Sequence, residues 1–134
     1  LGLSQLRRLS QSIKRRQEIA AKYDQALLES HSITPLSVKQ DISHAYHIYP
    51  VLVDCNRDQF HTAMRAENIG VNVHYMPVYF HSYYRNLGYK KGICPIAESA
   101  YERLITLPVF QKMSDIDASD VLSAVTKITN CYST

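Results

Sequence analysis

The first twenty-nine residues, LGLSQLRRLSQSIKRRQEIAAKYDQALLE, contain no proline, and Gly2 is their only glycine. Within them Leu6, Leu9, Ile13, Ala20, Tyr23 and Leu27 recur at helical spacing. The pattern predicts one long amphipathic helix over 1–29 whose apolar stripe has to be covered by other elements. Arg7, Arg8, Lys14 and Arg15 gather away from the stripe, as solvated charges do. No Ser, Thr, Asp or Asn stands ahead of the rhythm to cap it, so the expectation is a piece cut from a longer chain.

The rest of the chain supplies a layer for that helix. Residues 31–43, with Pro35, read as a polar connection. AYHIYPVLVD (45–54) is rich in β-branched and aromatic residues and predicts a strand, with Pro50 marking an edge or a bulge. Asn56 caps a helix from Arg57 to Asn68, with Gln59 placed for a capping box and Gly70 closing it. VNVHY (71–75) is a second strand. SYYRNLG is one helical turn stopped at Gly88, and Pro95 opens a helix to Leu104. LITLPV (104–109) is a third strand, and Ser114 with Asp117 boxes the start of a last helix to Thr129. The expected fold class is α/β (α+β). It has a small, mainly antiparallel sheet of about three strands in the order α-β-α-β-α-β-α, led by the long helix.

At 134 residues the chain is one domain with one core. Fifteen basic against twelve acidic residues leave a net charge of only +3, too little for a nucleic-acid protein. No run reaches the length of a membrane span and the charged N-terminus is no signal peptide. Cys55, Cys94 and Cys131 are odd in number, far apart and without a CxxC, which fits reduced thiols in a cytoplasmic protein. Gly2, Gly70, Gly88 and Gly92 cannot build a glycine-rich phosphate loop.

Chemistry concentrates in HYMPVYFHSYY (74–84), which carries five of the thirteen aromatic residues and two of the six histidines. Apolar in bulk and polar at its tips, the stretch suits the wall of a pocket for a polar small molecule. It suits equally a half-buried strand running into a rim of surface tyrosines. In extended geometry Tyr75, Pro77 and Tyr79 share one side and His74, Met76 and Val78 the other. His44 and His47, three apart on a strand, face opposite sides and cannot chelate a metal together. Cys55 lies at a strand-to-helix turn that could activate a thiol, yet no histidine is fixed beside it.

LGLSQLRRLSQSIKRRQEIAAKYDQAL, AYHIYPVLVD, GVNVHYMPVYFHSYYRNLGYKKG and CPIAESAYERLITLPVFQKMSDIDASDV follow one another through the chain. Together they resemble the C-terminal small domain of the DegT/DnrJ/StrS-type sugar aminotransferases. The run HYMPVYFHSYYRNLGYKKG is most similar to the branch acting on UDP-linked 4-keto-6-deoxy-amino sugars in pseudaminic-acid synthesis. The resemblance implies a pyridoxal-phosphate enzyme that passes an amino group, taken from glutamate, to a nucleotide-linked keto-sugar. It also implies a homodimer in which residues 1–29 are the interdomain helix. The cofactor's lysine and phosphate site belong to a large domain with no counterpart here, so no catalytic or cofactor-binding residue is expected in 1–134. His74, Tyr75, Tyr79, Tyr83, Tyr84 and His47 are the residues the resemblance assigns to the sugar-nucleotide side of the cleft. Tyr79 stands where the family pattern H-Y-x-P-V-H usually has histidine, and a phenol there can hydrogen-bond but cannot carry positive charge. The rival expectation is a stand-alone, non-catalytic ligand-binding or regulatory module derived from such an enzyme. A contiguous upstream large domain in the parent gene favours the first and a start codon at residue 1 the second.

Overall fold

A computed structural model describes residues 2–132. The leading helix is two pieces, α1 (Gly2–Leu6) and α2 (Leu9–Leu27), rather than the single helix expected over 1–29. Arg8, at φ −102°, ψ −4°, stays in the right-handed region, but its N–H turns to Gln5 only three residues back. No residue of α1 is buried, so no packing holds the two pieces on one axis. The lower half of the stripe behaves as predicted: Ile19, Ala20, Tyr23 and Leu27 are buried.

The sheet is antiparallel, in the order β1 (Ile33–Pro35), β2 (Tyr49–Val53), β3 (Leu104–Leu107). Its strand count and sense match expectation, but one member differs. The connection 31–43 contributes β1, while 71–75 forms no strand and touches the sheet at a single bridge, Asn72 to Thr106. Asn72 explains the loss: its own side-chain oxygen takes the Val73 N–H at 2.8 Å, so the ladder stops there.

Pro50, expected at an edge or a bulge, lies in the central strand opposite Thr106. Thr106 donates its backbone N–H to the Asn72 carbonyl and accepts the Asn72 N–H at its own C=O. Pro50 is therefore in a non-hydrogen-bonded pair with β3, and its nitrogen faces the β1 side, where pairing has already ended at Pro35 opposite Val51.

Ile33, Tyr49, Val51, Val53, Ile105 and Leu107 form the inward face of the sheet. They join one core with α2, with Phe60 and Met64 of α3 (Arg57–Ala66), and with five residues of α6 (Asp115–Tyr132). Tyr23 meets Tyr49 edge-on at 5.1 Å and donates its hydroxyl to the Pro108 carbonyl at 2.9 Å.

The helix ends follow their side chains. Asn56 Oδ1 accepts from the Asp58 and Gln59 N–H groups, and Ser114 and Asp117 make the reciprocal box. α3 closes on Asn68 rather than Gly70. Asn68 takes φ +61°, with Ile69 N–H on Met64 and Asn68 N–H on Arg65, the six-to-one and five-to-two bonds of a Schellman ending.

The other face of the sheet is only half covered. α5 (Pro95–Arg103) packs near β2 and runs straight into β3, and the only residue it buries is Glu98.

Candidate functional site

Residues 73–77 are not in a strand, the His74–Tyr75 peptide is cis, and Val78–Phe80 coil into a 3-10 turn before α4 (Ser82–Asn86). The expected alternation of Tyr75, Pro77 and Tyr79 against His74, Met76 and Val78 is therefore absent. The six candidate residues separate into three places.

His47 and His74 come together. Both line a shallow depression of about 260 Å³ on the half-covered face, with Ile48, Asn72 and Thr106. His74 is half-buried, and its Nδ1 lies 3.0 Å from the hydroxyl of Thr106, itself only 6% exposed. That contact fixes the ring and leaves Nε2 without a described partner. Larger hollows lie elsewhere, along α6 and along α1, but they hold none of the six residues.

Tyr79 does not line that depression. Its hydroxyl donates to Glu98 Oε1 at 2.7 Å. Glu98, 5% exposed, also accepts the Gly92 N–H at 2.7 and 2.9 Å and the Cys94 N–H at 3.4 Å. Removal from water and the bond to Glu98 push the Tyr79 phenol up to about 12. The Tyr79 hydroxyl, then the backbone N–H groups, hold the Glu98 carboxyl below the ordinary carboxylate range.

Tyr75, Tyr83 and Tyr84 form a rim. Tyr75 stands edge-on to His74 at 4.6 Å, and Tyr75 and Tyr83 are mostly exposed. Tyr84 is half-buried between Tyr83 and Tyr89 at 5.3 and 6.0 Å. His74 thus lines a depression while Tyr75 and Tyr83 lie at the surface, and the half-buried strand is absent.

Sequence reasoning missed Glu98 and Thr106. A glutamate in the first turn of a helix ordinarily complements the helix dipole, and nothing local marks this one as turned back onto its own preceding loop. Among the described residues no group of three or more His, Cys, Asp or Glu could hold a metal ion. Cys55, Cys94 and Cys131 form no disulfide, and burial pushes the Cys55 thiol up, the reverse of activation. No helix among the described residues is long and apolar enough to cross a membrane.

Residues 1–126 match the model of the DegT/DnrJ/EryC1/StrS aminotransferase family, and the chain belongs to that family. It is 41% identical over 135 residues to the spore coat polysaccharide biosynthesis protein SpsC of Bacillus subtilis, covering 96% of this chain and 35% of that one. It is 29% identical over 125 residues to a UDP-4-amino-4,6-dideoxy-N-acetyl-beta-L-altrosamine transaminase of Campylobacter jejuni, covering 90% of this chain and 33% of the other. Among solved structures, the aminotransferase TlmJ from Streptoalloteichus hindustanus superposes with a TM-score of 0.90 at 29% identity. That match covers 99% of this chain and 36% of TlmJ. The chain thus spans about a third of the length of the curated relatives it matches.

Family membership implies pyridoxal phosphate. That group needs a lysine amine in an enclosed site and a cradle for its phosphate. All seven lysines here are exposed, and Lys22, Lys91 and Lys127 are paired with Asp115, Glu102 and Glu67. The residues of this chain do not fit the cofactor. What they offer is a hydrogen-bonding surface.

Proposed function

We propose that residues 1–134 are the small domain of a pyridoxal-phosphate-dependent sugar-nucleotide aminotransferase. In this reading the half-covered face of the sheet is one wall of the sugar-nucleotide cleft. The observation that carries it is His74, held at Nδ1 by buried Thr106 in the depression it shares with His47. A ring fixed on one nitrogen presents the other in a set direction, as a binding group must. No Lys or Arg lines the depression, so it is suited to the hydroxyl and amide groups of a sugar rather than to a diphosphate. Tyr75, edge-on to His74, supplies exposed aromatic surface beside it.

The amino group passes from glutamate to a keto-sugar, yielding an amino-sugar and 2-oxoglutarate, in a cytoplasmic homodimer. The cofactor supplies that chemistry from outside this chain, while the small domain shapes and closes the site. The Campylobacter relative's name supports the finer assignment, a UDP-linked 4-keto-6-deoxy-amino sugar of the pseudaminic-acid branch.

The test is His74→Ala in the full-length enzyme. Losing one hydrogen bond to substrate costs about 0.5–1.5 kcal/mol, a rise of roughly 2- to 10-fold in the sugar-nucleotide KM. Cofactor loading and the half-reaction with the amino donor should not change. Normal sugar-nucleotide kinetics in this variant, or loss of the cofactor, overturns the reading. Mass spectrometry of products from candidate keto-sugars decides the branch.

A further inference from the structure

Glu98 and Thr106 are the only buried polar or charged residues among those described. Both belong to one uninterrupted piece of chain, since α5 ends at Arg103 and β3 begins at Leu104. Each holds one residue of the aromatic segment: Thr106 holds His74 at 3.0 Å and Glu98 holds Tyr79 at 2.7 Å. The hydrogen bonds described to the Glu98 carboxylate come from residues 79–94. A carboxylate removed from water needs its lone pairs filled, and here the Tyr79 hydroxyl and two backbone N–H groups fill them. A phenol has one proton to donate, and that of Tyr79 is directed at Glu98.

We propose that Glu98 is a positioning residue for the cleft wall. It braces the segment 79–94 through Tyr79, while Thr106 fixes the start of the aromatic stretch, five residues earlier, through His74. The inference rests on the reading of this face as the sugar-nucleotide wall. It departs from the expectation drawn from the family resemblance, in which the Tyr79 hydroxyl binds substrate. Here Tyr79 acts through its bond to Glu98, and His74 Nε2 is the group left to meet a ligand.

The experiment uses the full-length enzyme and compares Tyr79→Phe, Tyr79→His, Glu98→Gln and His74→Ala. Tyr79→Phe and Glu98→Gln should each raise the sugar-nucleotide KM about tenfold, the size of a lost hydrogen bond to a charged group. The half-reaction with the amino donor, which does not use this wall, should stay unchanged; a general loss of structure would lower both. Tyr79→His should restore KM, because an imidazole N–H can donate to the carboxylate. Hydrogen exchange at the Gly92 and Cys94 amides, followed by NMR, should quicken about fivefold in Tyr79→Phe as the brace loosens. A raised KM with unchanged exchange would assign the Tyr79 hydroxyl to the ligand and overturn the proposal, whether or not Glu98→Gln yields folded enzyme. Unchanged KM in Tyr79→Phe and Glu98→Gln, with His74→Ala impaired, also overturns it and leaves the functional reading standing. Unchanged KM in all of them, His74→Ala included, removes the functional reading itself.

Discussion

The two ends of the N-terminal helical region carry the same apolar rhythm and meet opposite fates. Ile19, Ala20, Tyr23 and Leu27 are buried against β1, β2 and α6, whereas Leu6 and Leu9 are 65% and 49% exposed. Leu6 and Leu9 line a groove with Phe110, itself nearly half exposed, and no described residue covers that groove. Helical periodicity states which face of a helix is apolar. Whether the face is covered depends on how far the sheet reaches, and a sheet of three short strands reaches only the second half of α2.

The sharpest way to break this contrast is to cut the same kind of side chain on each half. Ile19→Ala should destabilise the fold by about 2–5 kcal/mol, measured by urea unfolding, because it leaves a cavity in a closed core. A cost below about 1 kcal/mol would mean that the buried half of the stripe is not the core's foundation.

A smaller effect separates the apolar core from the charged brace beside it. Glu98 has a folded-state pKa below its unfolded value, so its contribution is complete above the ordinary glutamate value of about 4.3. It is lost as pH falls below that value and through the lower folded one. The Gly92 amide, followed by NMR, should therefore have its titration midpoint below about pH 4.3, while core amides such as Val51 hold their positions. A Gly92 transition above that pH would show that the carboxylate is not held as described. Tyr79 acts with the opposite sign: its raised pKa keeps its share of stability intact below about pH 10 and releases it as pH climbs toward 12.

The smallest expected change in stability lies on the uncovered half. Leu6→Ser combined with Leu9→Ser should move stability by less than about 0.5 kcal/mol, since neither side chain is buried. Its effect should appear in mass instead. Light scattering of the chain should report self-association through this leucine surface, and the double variant should be monomeric. A parent chain already monomeric would show that the groove is no contact surface for a second copy.

What could be read from the sequence was whatever local chemistry decides. Asn56, the Ser114–Asp117 box, Pro95 and Gly88 each act within a few residues, and each marks the element it was expected to mark. β1 escaped because three residues ending in proline carry no period, and only pairing with Val51, Leu52 and Val53 makes them a strand. The strand expected at 71–75 failed on one side chain, that of Asn72. The site divides the same way. The aromatic stretch was visible as composition, but what orders it spans 32 residues from His74 to Thr106 and 19 from Tyr79 to Glu98. No pattern along the chain records such pairs.

Pro50 and Pro35 have a consequence for how copies of this chain meet. A small sheet with open edges recruits strands from its neighbours, which is the usual route to β-aggregation. Here the outer strand is three residues long and ends in a proline that cannot donate to a new ladder. The nitrogen of Pro50 bars any lengthening of that strand along β2. On the far side, the Asn72 backbone occupies β3 at Thr106, and its side chain then turns the following N–H away. Neither margin offers a row of free backbone groups long enough to template a stranger, so contacts between copies are left to the helices.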